Sequence, residues 1–296
     1  MPDVIFEEIE CKTVLNRINA PRLPFRWTLN PYRGCQHACT YCFARGTHAY
    51  LGYDPGRDFE TRVVVKVNGP EVLQRDLSRP GWRRELIAIG TSCDPYQAAE
   101  LKYSLTHRML KVLRDHANPV SIVTKSPFIV RDADVLASLS KVASVTVNFS
   151  IATLDDEVWK RTEPGTARPS KRLEAMRALT ERGIRCGVLI APVLPGLTDD
   201  PAGLDRVIEA AKEHGASFVH DNVLYLKPGT KEWFMPFLRE AYPHLSDKYA
   251  KYYRGAYAPR TYTQDVHRTI ADLRQRHGLV DRTPVSPAVG QLQLAM

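Results

Sequence analysis

The chain has 296 residues, of which 44% are hydrophobic and 25% charged, and these values are ordinary for a globular protein that buries a core. No run of 18 apolar residues and no signal-peptide pattern is present, so we expect a cytoplasmic protein and exclude a membrane-embedded one. The formal net charge of +8 indicates a polyanionic partner such as nucleic acid, although a solvated arginine-rich surface would give the same charge.

The first 27 residues are predicted to form an extended N-terminal arm, because Pro21 and Pro24 disfavour regular structure there. A short strand is predicted at Trp27–Asn30. The segment Pro31–Gly34 then turns the chain into a cysteine-rich loop.

Three of the six cysteines lie within eight residues, at Cys35, Cys39 and Cys42. Cysteine thiolates are the usual ligands of iron–sulfur clusters, so three of them can bind three irons of a four-iron cluster. The run contains no fourth cysteine, and one iron would therefore keep an open coordination position. A reactive metal site needs such a position, whereas a structural site lacks one. The other three cysteines are too scattered for a disulfide framework, which agrees with a reducing compartment.

Two other interpretations of the cysteine run remain open. A structural zinc site could combine the three thiolates with His37 or Cys186, although zinc ligands usually come as two separated pairs. The three cysteines could also be buried thiols without any metal. The polar neighbours Gln36, His37 and Thr40 disfavour that second interpretation.

Downstream of the loop, strands and helices alternate. After a β-branched run at Arg62–Val67, strands are predicted at Leu86–Gly90, Val120–Thr124, Val142–Ile151, Ile184–Ala191 and Ser217–Leu226. The helices predicted between them are Tyr96–His116, Asp132–Ser140, Asp155–Arg161, Ser170–Arg182 and Pro201–His214. With the strand before the cysteine run, this gives six strands in a parallel α/β arrangement with right-handed crossovers. Six units fall short of the eight of a closed barrel.

The predicted barrel occupies residues 28–228, and its strands should end at one polar mouth. The segment Thr91–Gln97 follows the second strand, Lys125 ends the third, Asn148 and Ser150 end the fourth, and His220–Asn222 lies in the sixth.

Residues 229–296 are predicted to form a helical C-terminal extension that is rich in aromatic and basic residues, with a loose tail from Asp281. The aromatic side chains either pack as a cap across the open barrel or present a stacking surface to nucleic-acid bases. The aromatic residues concerned are Trp233, Phe234, Phe237, Tyr242, Tyr249, Tyr252, Tyr253, Tyr257 and Tyr262.

The pattern Cys-x₃-Cys-x-aromatic-Cys, formed by Cys35, Cys39, Tyr41 and Cys42, resembles the signature of radical S-adenosylmethionine (radical SAM) enzymes. The resemblance implies a partial (β/α)₆ TIM-like barrel, a [4Fe–4S] cluster on the three cysteines, and SAM bound at the open iron. It also implies an external one-electron reductant of the flavodoxin or ferredoxin kind. In that superfamily the reduced cluster cleaves SAM to methionine and a 5′-deoxyadenosyl radical, which abstracts a substrate hydrogen.

Within the superfamily, roughly residues 31–196 are similar to the spore photoproduct lyase-like group. The similarity is carried by Ile122–Lys125, Phe149–Ile151, Glu163–Thr166 and Gly187–Pro192. It implies SAM contacts for Lys125 and Ser150 and an adenine contact for Tyr41. A cation at Lys125 suits the methionine carboxylate, and a surface lysine at a strand end is the alternative interpretation.

The chain also departs from the lyases. Their hydrogen-donor cysteine corresponds here to Gly90 or Thr91, and Cys93 lies two or three positions later. The tyrosine that follows the third cluster cysteine is replaced by Phe43. Cys93 is predicted to be the catalytic hydrogen-atom donor, and the alternative is a small buried side chain at a strand end.

These observations predict a radical SAM enzyme whose substrate is a nucleic acid or a nucleotide. Two alternatives are a radical SAM enzyme that modifies a small metabolite or a peptide, and a non-enzymatic iron–sulfur or zinc module that binds nucleic acid.

Overall fold

A computed structural model describes residues 3–19 and 23–280. In these residues ten strands are present: β1 (Ile5–Ile9), β2 (Leu15–Arg17), β3 (Trp27–Leu29), β4 (Tyr32–Arg33), β5 (Arg62–Lys66), β6 (Ile87–Ile89), β7 (Val120–Thr124), β8 (Val145–Ser150), β9 (Arg185–Val193) and β10 (Val219–Val223).

The helices surround and cap these strands. They are α1 (Arg57–Thr61), α2 (Gly69–Leu77), α3 (Ala99–Tyr103), α4 (Leu105–Asp115), α5 (Ala133–Ser140), α6 (Asp156–Thr162), α7 (Pro169–Thr180), α8 (Pro201–Glu213), α9 (Lys231–Ala241), α10 (Ser246–Tyr252) and α11 (Arg260–Arg276). Short 3₁₀ helices cover Phe43–Leu51, Pro127–Asp132 and Pro243–Leu245. No helix in the described ranges is long and apolar enough to cross a membrane.

The larger sheet has the spatial order β10-β9-β8-β7-β6-β3-β2 across the described residues. Six neighbouring strands, β10, β9, β8, β7, β6 and β3, pair in parallel. Strand β2 pairs antiparallel with β3 at the edge of the sheet. Strand β8 is buried on both faces, as expected for a parallel strand covered by helices. The predicted fold class, a partial barrel of six strand–helix units, is confirmed.

Aspartates begin two of the crossover helices. The Asp155 carboxylate accepts hydrogen bonds from the backbone N–H groups of Glu157 and Val158 at the start of α6. The Asp200 carboxylate accepts one from Gly203 N–H at the start of α8, where Pro201 occupies the first turn as predicted. These caps fix where each helix leaves the mouth of the barrel.

One predicted helix is two helices. The continuous apolar spacing of Tyr96–His116 predicts a single element, but Ser104 has a φ of 50° and separates α3 from α4. The break is stabilised by the buried Glu100 carboxylate, which accepts hydrogen bonds from the N–H groups of Thr106 (3.0 Å) and His107 (3.2 Å). These N–H groups belong to the first turn of α4 and have no partner within the helix.

The N-terminal segment, predicted as an extended arm, contributes one strand to each of two sheets. Strand β2 joins the edge of the barrel sheet, while β1 pairs in parallel with β5 in a second sheet of order β1-β5-β4. A small separate core forms under this second sheet and includes Tyr32, Phe59 and Cys93.

The C-terminal helices pack against the barrel. Phe234, Tyr249 and Tyr253 are almost completely buried, and the rings of Tyr249 and Tyr253 stack 5.4 Å apart. Their burial favours the interpretation of the aromatic residues as a packed cap. Helix α11 lies against α8 and β10. The tail from Asp281 lies outside the described residues, and the domain divisions at residues 27 and 228 stay a prediction.

Candidate active site

The cysteine-rich loop lies between β4 and the 3₁₀ helix Phe43–Leu51. It begins at Gly34, whose φ of 84° favours glycine and where a Cβ atom would lie 2.6 Å from the carbonyl oxygen of Arg62. Cys35 and Cys39 are buried and Cys42 is half-buried. Burial raises the pKa of all three thiols, and the nearby Cys42 adds to the effect at Cys35 and Cys39. A metal that binds here therefore has to displace thiol protons.

One side of the loop is held by Arg45, which is completely buried. Its Nε donates to the carbonyl oxygen of Cys39 (3.0 Å), and its guanidinium lies 4.7 Å from the centre of the Trp233 ring. The hydroxyl of Thr230 donates to the carbonyl oxygen of Cys42 (3.2 Å). Since Trp233 and Thr230 lie beyond the barrel strands, the C-terminal extension helps to shape the loop.

The other side of the loop packs against the segment Glu163–Thr166. The N–H of Gly165 donates to the carbonyl oxygen of His37 (3.1 Å). A Cβ atom at Gly165 would lie 2.2 Å from the carbonyl oxygen of Gln36, so this close approach requires glycine. The N–H of Thr40 reaches the carbonyl oxygen of Thr162 (2.9 Å).

Gln97 fixes the start of the loop through hydrogen bonds. Its fully buried amide donates to the carbonyl oxygen of Gly34 (3.0 Å) and accepts from the N–H of Gln36 (3.0 Å). The Gln36 side chain in turn accepts from the N–H of Ala99 (2.9 Å). The segment after the second barrel strand therefore fixes the loop through both of these amides.

Asp94 connects the loop to the third barrel strand. Its N–H points at Cys35 Sγ (3.5 Å), and its carboxylate accepts from the N–H of Lys125 (2.7 Å) and the hydroxyl of Thr124 (2.8 Å). His37 Nδ1 lies 3.3 Å from the carboxylate. Burial alone would raise the pKa of Asp94, but His37 and the backbone N–H donors outweigh it and hold the pKa below its usual range.

The structure brings Tyr41, Lys125 and Ser150, predicted as cofactor contacts, into one group. Lys125 Nζ donates to Ser150 Oγ (2.5 Å) and lies 5.7 Å from the centre of the Tyr41 ring. Ser150 Oγ donates to the carbonyl oxygen of Ala191 at the end of β9 (3.0 Å). The Lys125 side chain is mostly buried, so it is not a surface lysine.

Glu163 joins this group and has no predicted role. Its carboxylate accepts hydrogen bonds from the hydroxyl of Tyr41 and from Nη2 of the buried Arg172 (2.5 Å), and Lys125 Nζ lies 3.7 Å away. Burial alone would raise the pKa of Glu163, but Arg172 and Lys125 lower it to about 2. The carboxylate is therefore ionised and fixes the two cations. Only its place in the segment Glu163–Thr166 could have signalled this role.

Cys93 lies under the second sheet rather than in the open mouth. Its thiol is buried and donates to the carbonyl oxygen of Tyr32 (3.1 Å). Burial raises its pKa to about 12, so the sulfur keeps its hydrogen. Cys35 lies in the same small core.

A cavity of about 350 Å³ opens beside the loop, and its lining includes Thr28 of β3 and the residues Tyr225 and Lys227, which follow β10. Phe43, which directly follows Cys42, forms part of its wall. Thr91 and Ser92 line it two and one residues before Cys93. The charged side chains that line it are all basic: Arg33, Lys66 and Lys227. The cavity therefore offers an anion-attracting space next to the cysteines.

The two candidate metal centres differ in how they use cysteine thiolates. Within residues 3–19 and 23–280, no three side chains of His, Cys, Asp or Glu converge on the position of a single ion. Tetrahedral zinc needs four donors at about 2.0–2.3 Å from one ion, whereas a four-iron cluster binds each thiolate to a different iron. The three cysteines of one loop match three irons of such a cluster.

Comparisons with known proteins agree with this chemistry. Residues 29–204 match the radical SAM superfamily. An uncharacterised protein of Mycobacterium tuberculosis is 42% identical over 287 residues, which cover 96% of this chain and 84% of the relative. An uncharacterised protein of Methanocaldococcus jannaschii is 30% identical over 227 residues, covering 76% of this chain and 80% of the relative.

Among solved structures, a spore photoproduct lyase mutant with bound AdoMet and dinucleoside spore photoproduct superimposes with a TM-score of 0.68. The match covers 92% of this chain and 79% of the lyase at 16% sequence identity. A second lyase mutant gives a TM-score of 0.68 over 93% of this chain and 80% of that chain, also at 16% identity. At this identity the likeness establishes a shared fold.

Proposed function

This chain belongs to the radical SAM superfamily, with a [4Fe–4S] cluster and SAM as its cofactors, and we propose that it acts on a nucleic acid or a nucleotide. The observation that carries the proposal is the cavity beside the cysteine loop, whose charged lining is entirely basic. A net charge of +8 adds long-range attraction for a polyanion. Enzymes of this superfamily need an external reductant, and we propose a flavodoxin- or ferredoxin-like protein.

We assign the cluster to Cys35, Cys39 and Cys42. When bound, the cluster would supply the electron for the cleavage of SAM to methionine and a 5′-deoxyadenosyl radical, the species that would abstract a hydrogen atom from the substrate. The Asp94 N–H, 3.5 Å from Cys35 Sγ, stabilises negative charge on that sulfur. Burial of the loop restricts the access of water to the site.

Lys125, Ser150 and Tyr41 are proposed to hold SAM. The Lys125 ammonium suits the methionine carboxylate as a charge-assisted donor, and Ser150 offers a hydroxyl beside it. Tyr41, which lies between Cys39 and Cys42 in the sequence and has the Lys125 ammonium over its ring, is proposed to contact the adenine. Glu163 and Arg172 act as positioning residues, because their buried ion pair orients Tyr41 and Lys125 without occupying the cavity.

Cys93 is proposed to return a hydrogen atom to the substrate radical. Its S–H bond would break, a C–H bond would form on the substrate, and the sulfur would be left as a thiyl radical. Its protonated state and its place in one small core with Cys35 support this role. The thiol first has to leave the carbonyl oxygen of Tyr32.

The substrate class can be tested with the anaerobically reconstituted, dithionite-reduced enzyme and SAM. Single-stranded DNA and RNA oligonucleotides should increase 5′-deoxyadenosine formation above the substrate-free rate and should emerge with altered mass. If peptide or metabolite fractions of a cell extract stimulate the reaction and oligonucleotides do not, the substrate class is wrong. The radical SAM assignment would stand in that case.

A further inference from the structure

Two cations, Arg33 and Lys66, line the same wall of the cavity. Arg33 lies at the end of β4 and Lys66 at the end of β5, strands that pair in the second sheet. Neither forms an ion pair with a carboxylate in the part of the chain that the structure describes. Two neighbouring cations without a counterion repel each other, and an anion between them removes that repulsion.

Lys66 is the more constrained of the two. Its side chain is only 8% exposed, and its ammonium donates to the carbonyl oxygen of Asn30 (2.9 Å). That bond uses one of the three N–H groups of the ammonium. Burial lowers the pKa of Lys66; nearby Cys93 and Cys11 oppose this shift, and the charge of Arg33 adds a smaller lowering. A buried ammonium held by one neutral acceptor is costly unless an anion compensates it.

The cavity also has an aromatic wall. Phe43 and Tyr225 both line it, with ring centres 5.7 Å apart, and Tyr257 lies behind Tyr225 at 5.9 Å. Aromatic rings bind nucleobases by stacking, and this interaction tolerates any base. The cationic wall therefore suits the phosphate of a nucleotide, and the aromatic wall suits its base.

The size of the cavity agrees with this match. Its volume of about 350 Å³ lies within the range of small-molecule pockets, roughly 300–1,000 Å³. Asn30, Thr91 and Ser92 add polar groups at the ends of the first two barrel strands. A single nucleotide unit would therefore fill the space next to the cysteine loop.

We infer that Arg33 and Lys66 form a phosphate subsite of this cavity, which takes the phosphate of a nucleotide unit whose base faces Phe43 and Tyr225. The inference rests on the proposed function, because it names the part of the substrate that the site recognises. Arg33 supplies the planar fork that matches phosphate oxygens, and Lys66 supplies a fixed point charge. A carboxylate offers fewer oxygens to this pair than a phosphate does.

The test uses the full chain with its cluster reconstituted, and calorimetric titration with thymidine 5′-monophosphate and with thymidine. The wild type should bind the monophosphate at least tenfold more tightly than the nucleoside. Arg33→Gln should lose about tenfold in monophosphate affinity and little in nucleoside affinity, while Arg33→Lys should recover part of the loss. The monophosphate affinity of Arg33→Gln should also depend less steeply on salt concentration than that of the wild type. Arg206→Gln, which removes an exposed arginine from α8, should change neither affinity.

Lys66→Met provides a second test at the buried position. If that variant fails to fold, the comparison between Arg33→Gln and Arg33→Lys decides the outcome alone. Equal wild-type affinities for monophosphate and nucleoside, or an Arg33→Gln variant that keeps the preference, would overturn the subsite. Titration with a dinucleoside monophosphate and a 10-nucleotide DNA strand then distinguishes a free nucleotide from a polymer unit.

Failure of the subsite and failure of the proposed function give different results. An enzyme that forms 5′-deoxyadenosine in the presence of oligonucleotides, yet shows no phosphate preference, retains the proposed function and loses the subsite. An enzyme that oligonucleotides do not stimulate loses the proposed substrate class. In that second case, a phosphate preference in the binding data would still establish an anion site.

Discussion

Arg172 donates through Nη2 to the Glu163 carboxylate at 2.5 Å, and both side chains are buried beside the cysteine loop. Arg172 also donates to the carbonyl oxygen of Ser150 (2.8 Å), while Glu163 accepts from the hydroxyl of Tyr41. One ion pair thus ties the loop, the end of β8 and α7 together. It supports two of the residues proposed to bind SAM.

Breaking this ion pair should destabilise the protein strongly. Arg172→Met leaves the Glu163 carboxylate buried and without its main partner, which typically costs about 3–5 kcal/mol. The apparent melting temperature of the anaerobic protein should fall by several degrees or more. Arg182→Met breaks an exposed ion pair with Asp134 and should have little effect. Equal effects of the two variants would show that the buried pair is not a structural anchor.

Lys125 should control the affinity for SAM without affecting the cluster. Lys125→Met keeps the aliphatic stem and removes the charge that faces Ser150 and Glu163. SAM affinity should fall roughly ten- to a hundredfold, as measured by equilibrium dialysis, because a charge-assisted bond is lost. Iron content should stay at the wild-type value. Lys160→Met, an exposed lysine of α6, is the matched control. Unchanged affinity in Lys125→Met would reduce Lys125 to a structural role.

Cys93 should be needed for product formation rather than for SAM cleavage. In Cys93→Ala, 5′-deoxyadenosine should still form, while substrate turnover should stall or give trapped adducts that mass spectrometry detects. Cys11→Ala removes a partly buried cysteine outside the small core that holds Cys93 and Cys35, and it serves as the control. Normal product formation by Cys93→Ala would show that the thiol only packs against Tyr32.

The contact between α11 and β10 should weaken as the pH rises. A hydrogen bond with Asp221 raises the pKa of His267, and partial burial opposes this only in part. The protonated histidine stabilises the fold fully below its unfolded pKa of about 6.5, and this stabilisation is lost as the pH rises through the higher folded pKa.

Amide hydrogen exchange of α11, corrected for intrinsic rates, reports this change. Protection should decrease between pH 6 and pH 8.5 in the wild type and stay constant in His267→Gln. His116→Gln, whose side chain has no ion pair within the described ranges, should behave like the wild type. A pH dependence that persists in His267→Gln would assign the effect to another group.

The sequence predicts the barrel well, because local patterns specify it. The apolar run Val120–Thr124 coincides with β7, and all of Ile184–Ala191 except its first residue lies in β9. The alternation of strands with helices implies the parallel order. Local spacing cannot reveal the break at Ser104, because the Glu100 carboxylate that caps α4 acts through tertiary geometry. The pairing of β1 with β5 is also nonlocal, since 57 residues separate Ile5 from its partner Arg62.

Contacts between residues far apart in the sequence also limit what can be predicted of the site. The three cysteines lie close in sequence and can be recognised from spacing alone. Glu163 lies in a segment that carries the family similarity, but its role could not be predicted because its partner Tyr41 lies 122 residues away in the sequence. The thiol of Cys93 donates to the carbonyl oxygen of Tyr32 because of the way the second sheet packs. The two-residue strand β4 is too short for the sequence to predict that packing.

The central claim is that Cys35, Cys39 and Cys42 together hold the cluster that cleaves SAM. The most direct measurement is 5′-deoxyadenosine formation by anaerobically reconstituted, dithionite-reduced protein with SAM, alongside iron content and visible absorbance. We predict that the wild type forms 5′-deoxyadenosine, that Ala at any of the three positions abolishes it and lowers the iron content, and that the buried control Cys186→Ala retains both. Stoichiometric zinc in the wild type, or SAM cleavage that survives loss of any of the three cysteines, would contradict the claim.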